Sequence, residues 1–103
     1  MEQQEERWWE AEIYRLRGVL LLKQPGRRQA EAETWLQRAL DVARRQEAKA
    51  LELRAAMSLS RLWQQQGKRA EARALLAPIY GWFTEGFDTA DLQEARALLE
   101  ALA

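Results

Sequence analysis

The chain repeats itself. Gly26-Arg27-Arg28-Gln29-Ala30-Glu31-Ala32 returns as Gly67-Lys68-Arg69-Ala70-Glu71-Ala72, and at an offset of about 40 residues Leu36 falls on Leu76. A period of this size marks a stack of similar units, each able to bury its apolar face only against its neighbours. The repeated piece reads as a helical hairpin: a helix, a turn of glycine and two basic residues, then a second helix opening on Ala-Glu-Ala. Upstream, Gly18 falls on Ser60, so a small residue recurs in the middle of each first helix. Glycine there costs up to about 1 kcal/mol against alanine. Close approach of the returning helix would offset that cost, and Ala32 and Ala72 are the expected counterparts at the crossing.

The breakers divide the chain into five helices, an all-α fold. The first is expected from about Glu2 to Gln24, with Glu5, Glu6 and Glu10 early and Arg15, Arg17 and Lys23 late, as the helix dipole favours, and Pro25-Gly26 ends it in a turn. The second, about Arg28 to Arg45, carries Ala32, Leu36, Ala39, Leu40 and Ala43 on one buried face, and Asp41 is spaced to pair with Arg45 on the other. No glycine or proline follows it. A continuous helix to Gln66 would nonetheless be about 58 Å long with no heptad seam, so a turn is expected around Arg45 to Lys49. The third helix then runs from about Glu47 to Gln66, with Leu51, Ala55, Ala56, Leu59, Leu62 and Trp63 inward and Gly67 closing it. The fourth, about Arg69 to Thr84, buries Ala72, Leu75, Leu76, Ile79, Tyr80 and Phe83. The fifth, about Thr89 to Leu102, buries Leu92, Ala95, Leu98, Leu99 and Leu102. One domain is expected over residues 1–103, with hairpins at about 2–46 and 47–85 and a capping helix at about 89–102.

Composition excludes more than it selects. The chain has neither cysteine nor histidine, which removes disulfides, thiol nucleophiles, imidazole bases and the usual zinc ligands together. Carboxylate pairs such as Glu31 with Glu33 or Asp88 with Asp91 lie in first turns or cap positions, where acids stabilise helices without doing chemistry. An enzyme is not expected, and no cofactor is implied. Sixteen basic residues balance sixteen acidic ones, which argues against nucleic acid as the partner. The pairs Arg27-Arg28, Arg44-Arg45 and Lys68-Arg69 fall in turns or at a helix end and read as solvated surface. The longest apolar run, Val19 to Leu22, is far short of a membrane span, and the acidic opening MEQQEERWWE is unlike a signal peptide. A cytoplasmic location is expected.

The small-residue pattern resembles the tetratricopeptide family, in which a small residue in the first helix and an alanine in the second mark the hairpin contact. Gly18, Ala32 and Ala39 fit in the first unit and Ser60, Gly67 and Ala72 in the second. The period of about 40 to 42 exceeds the family's 34, and the proline that closes each second helix is absent. More specifically, EIYRLRG followed by AAMSLSRLWQQQGKRAEARALLAPIYGWFTEGFDTADLQEARALLEAL is similar to the C-terminal tail of large bacterial signalling proteins that join a nucleotide cyclase, an ATPase and helical repeats. Neither a cyclase metal site nor the phosphate loop G-x-x-x-x-G-K-[ST] is present, so those activities do not carry over. The resemblance implies an α-solenoid fragment of two antiparallel hairpins and a cap, acting as a protein-interaction or scaffolding module in a larger regulator. It further implies a concave groove lined by first helices, which places Glu12, Arg15, Val19, Lys23, Arg54, Met57, Arg61 and Gln64 there, with Arg96 on the capping helix. Arginine forks hold carboxylates bidentately, so an acidic peptide or chain terminus is the expected ligand.

Two local features complete the reading. In APIYGWFTEGF, Pro78 is expected to kink or break the fourth helix near Ala74 to Pro78, and Tyr80, Trp82, Phe83 and Phe87 to cover the end of the stack. Gly86 would end that helix, Phe87 would fold back on Trp82, and Asp88 would cap the fifth helix, with Asp91 three residues on. The adjacent Trp8 and Trp9 point about 100° apart on a helix, so one enters the core and the other tends to solvent. That makes the first helix an apolar edge, through which self-association to a homodimer or end-to-end stacking is expected.

Overall fold

A computed structural model describes residues 9–24, 28–83 and 89–103. Among these, the chain forms helices α1 (Glu10–Leu22), α2 (Gln29–Arg45), α3 (Lys49–Gln65), α4 (Arg69–Trp82) and α5 (Ala90–Leu102), and no strand. The starts of α2, α3 and α4 fall twenty residues apart, at Gln29, Lys49 and Arg69.

One turn geometry is used twice to produce that spacing. After α2 the Glu47 N–H donates to the Arg44 carbonyl and the Ala48 N–H to that of Ala43; after α3 the Gly67 N–H donates to Gln64 and the Lys68 N–H to Trp63. This double closure satisfies the orphan carbonyls of a helix end and needs one left-handed residue. That residue is Glu47 (φ 56°) in the first turn and Gly67 (φ 82°) in the second. The third helix was expected from Glu47, but Glu47 terminates its predecessor and α3 begins at Lys49. A glutamate in this conformation gives no turn signal in the sequence, because only glycine adopts it freely.

The core forms where alanine and leucine faces meet. Every residue expected inward on α2 is buried: Ala32, Leu36, Ala39, Leu40 and Ala43. Gly18 of α1 is buried against them, and a Cβ added to it would stand 2.8 Å from Leu36 Cγ and 3.0 Å from the Ala32 carbonyl oxygen. One unit later Ser60 is fully buried and its hydroxyl donates to the Ala72 carbonyl at 3.2 Å. Both small-residue contacts expected from the repeat are therefore present. Helix α3 packs against each of the other four helices, which is why it is buried nearly all round, from Leu53 through Leu62 with Arg54 and Arg61 reaching outward.

The end of the chain departs from expectation in two places. Helix α4 does not break at Pro78 but continues one more turn to Trp82. Pro78 and Ala74, four residues before it, are both exposed, so the carbonyl deprived of its donor lies on the wet side of the helix, where the loss is tolerated. Phe83, in an extended conformation (ψ 133°), ends α4. Helix α5 was expected from about Thr89 but begins at Ala90, with Thr89 as its cap, the hydroxyl accepting from the Leu92 N–H. At the other end of α5, Arg69 donates to the Ala101 carbonyl at 2.7 Å, tying the last helix to the start of α4. The expected roles of Trp8, Pro25-Gly26, Gly86, Phe87 and Asp88 lie outside the described residues.

Candidate interaction surfaces

The groove residues separate into a polar lock and a set of scattered positions. Arg54 of α3 donates through Nε to Asp91 of α5 at 2.8 Å and through Nη1 to Glu12 of α1 at 3.3 Å. Glu12 in turn accepts from Arg15 at 3.0 and 3.1 Å, and Arg15 reaches Ser58 of α3. Arg61 lies 3.7 Å from Glu94 of α5. Glu12, Arg15 and Arg54 are thus brought together, but as a lock in which their charges are already answered by acids on α1 and α5. The hydrogen bond to Asp91, followed by the nearby charges of Asp91 and Glu12, holds the Arg54 guanidinium above its ordinary value against an opposing desolvation.

The remaining groove positions do not form one surface. Met57 is a core residue, 3% exposed, because α3 is covered on that side, so it is withdrawn as a lining residue. Val19 is half-buried, Lys23 lies exposed just past the end of α1, and Gln64 is half-buried near the end of α3. Arg96 pairs with Glu100 on its own helix at 3.3 Å. Asp91 and Glu94, which answer Arg54 and Arg61, were not singled out as partners; their signal was the cap-like position of Asp91, which pointed to the wrong role.

Among the described residues, the largest uncovered apolar feature is on α1. Trp9, Ile13, Leu16 and Leu20 are 46%, 40%, 47% and 58% exposed. Their spacing of four, three and four residues places them on one line along the helix. Ala11 and Gly18, near the opposite side, are buried. Helix α1 is therefore apolar on two faces and the fold uses one. Trp9 was expected at such an edge; Ile13, Leu16 and Leu20 extend it over the whole helix, and their periodicity was readable in EAEIYRLRGVLLL. Flanking the stripe, Arg17 and Arg38 both stack on the Trp35 ring, at 5.0 and 5.2 Å from its centre, and Tyr14 meets the same ring at 5.4 Å.

A second, smaller apolar exposure is Trp82 at 57%. It borders a hollow of about 530 Å³ lined by Arg44, Glu47, Lys49 and Glu52, and Lys49 Nζ stands 5.2 Å from its ring centre. The buried Glu52 carboxylate accepts from Arg44 at 3.1 Å and pairs with Lys49 at 3.3 Å, so its charge is locally balanced. Among the described residues no three of His, Cys, Asp and Glu converge as a metal cluster, and no helix is long and apolar enough to cross a membrane. No family model, curated protein or solved structure matches the chain.

Proposed function

We propose that the chain is a non-catalytic protein-interaction module built as two helix-turn-helix units and a closing helix, whose docking surface is the outer face of α1. The observation that carries this reading is the unbroken line of Trp9, Ile13, Leu16 and Leu20 left uncovered along the whole helix. Monomers rarely leave such a stripe open unless something covers it. The tetratricopeptide-like arrangement is supported by the twenty-residue spacing of helix starts and by the paired contacts Gly18 to Ala32 and Ser60 to Ala72. Antiparallel packing of α1 on α2 is supported by their contacts, since Gly18 meets Ala32 and Leu36 near the start of α2 while Ala11 clusters with Val42 and Ala43 near its end. In the larger regulator that the sequence resembles, such a face would join this tail to its neighbour.

The acidic-peptide groove is the weaker reading. An incoming carboxylate would have to displace Glu12 and Asp91 from Arg54, exchanging one ion pair for another with little gain. Substituting Arg54 and Arg61 by Glu, and titrating an acidic peptide onto wild type and variant, tests it; loss of a measurable wild-type affinity would restore it.

The docking reading is tested with the double variant Ile13→Ser, Leu16→Ser in dilute solution. Because both side chains already face water, helicity and thermal midpoint are expected to stay close to wild type, within about 0.5 kcal/mol. Fluorescence of bound anilinonaphthalene sulfonate, a dye for exposed apolar surface, is expected to fall. Unchanged dye binding, or collapse of the helical signal, overturns the assignment.

A further inference from the structure

The outer face of α1 carries a knob at one end and a hollow at the other. Trp9 projects a half-exposed indole near the start of the helix. Leu20, eleven residues on and about 16 Å along the helix, stands at the lip of a hollow of about 310 Å³ lined also by Arg17, Leu21, Gln24, Glu31 and Trp35. Charge beside the stripe follows the same polarity: Glu10, which accepts from the Tyr14 hydroxyl at 3.0 Å, lies in the first turn, and Arg17 lies two turns later on the same side of the helix. A surface whose two ends differ in shape and sign in this way is complementary to itself when reversed.

We propose that the occupant of this face is a second copy of the chain, its α1 lying antiparallel to the first about a twofold axis near residues 14–15. The proposal rests on the docking reading above and commits it to one partner. Reversal sets each Trp9 over the partner copy's hollow beside Leu20, sets Ile13 against Leu16, and brings each Glu10 towards the other copy's Arg17, the two symmetry-related pairs lying along one edge of a self-complementary contact. Parallel pairing would instead oppose like charges and place the two indoles against each other. Head-to-tail stacking of α1 on α5 finds no apolar counterpart, since the exposed residues of α5 include Gln93, Glu94, Arg96, Ala97 and Glu100 and no large hydrophobic residue. One helix face covers less than the roughly 800 Å² per partner of a standard interface, so the dimer is expected to dissociate on the order of micromolar concentration.

The absence of cysteine allows a direct test in the full chain. Sedimentation of wild type is expected to show a reversible dimer. Ile13→Cys and Leu16→Cys, mixed in equal amounts and oxidised, should cross-link to each other in preference to Leu20→Cys with itself. Arg17→Glu should weaken the dimer several-fold and Glu10→Arg in the same chain should restore it. A dimer whose Leu20→Cys variant cross-links with itself overturns the antiparallel geometry. A wild-type chain that stays monomeric overturns the pairing. If that monomer still binds the dye through Leu16, the docking face stands for another partner; if the dye does not bind, both readings fall.

Discussion

Gly18 and Ser60 hold the same place in successive units and solve it with different chemistry. At Gly18 the neighbouring helix leaves no room for a Cβ, with a branch carbon of the fully buried Leu36 and a backbone oxygen both within 3.0 Å. Gly18→Ala should therefore destabilise by about 1 to 2 kcal/mol in chemical denaturation, because overpacking outweighs the roughly 1 kcal/mol of helix propensity gained. At Ser60 there is room for a hydroxyl, which holds the Ala72 carbonyl, and Ser60→Ala should cost about 1 kcal/mol through the lost buried bond. The two left-handed turn residues make a matched pair of opposite sign. Glu47→Gly should stabilise by about 0.5 to 1 kcal/mol by relieving a strained backbone, and Gly67→Ala should destabilise by about 1 kcal/mol although nothing lies within 4 Å of the added carbon. Both contacts of the small residues were legible because the repeat printed them twice. Glu47 was not, since its conformation is imposed by the helices it joins rather than by its own preference.

Among the elements, α1 and α3 differ in how much of their surface the fold consumes. Helix α3 touches all four others, so even Met57, which the family resemblance placed on an open groove, is core. Periodicity identifies which residues share a face; it does not say how many faces are covered. The same limit left the outer edge of α1 marked only at its tryptophans, because a helix apolar on two sides gives no clear direction for Ile13, Leu16 and Leu20. Helix α4 shows the converse, for Pro78 was read as a kink or break by its residue type alone, and the exposure of Ala74 and Pro78 lessens the cost enough for the helix to continue to Trp82. Between elements, Arg54 ties α1 and α5 to the central helix. Arg54→Ala should cost on the order of 1 kcal/mol and the loss should shrink in high salt, since the guanidinium is nearly half exposed. Its raised folded value means that this contribution is complete below the ordinary arginine value and is lost only as pH rises above it, so the Arg54 side of the tie is insensitive to pH across the neutral range.

At the scale of the whole molecule the described surfaces of α1 and α5 are unlike. The α5 end is closed by polar residues, a Thr89 cap and the Arg69 bond to Ala101, while the α1 end presents Trp9, Ile13, Leu16 and Leu20 to solvent. The polar end reads directly from the sequence of the last helix; at the other end the sequence marks an apolar edge at its tryptophans, and the assembled fold extends it through Ile13, Leu16 and Leu20. The central claim is that the α1 stripe lies outside the fold and holds a second copy. Thermal unfolding followed by circular dichroism, for wild type and Leu16→Glu from about 2 µM to about 200 µM, tests both halves at once, because a partner that binds only the folded chain makes its midpoint depend on concentration. The account predicts a wild-type midpoint that climbs with concentration, and a Leu16→Glu midpoint that stays flat at the dilute wild-type value. A Leu16→Glu midpoint depressed at every concentration, as for a core substitution, or a wild-type midpoint that does not move, would contradict it.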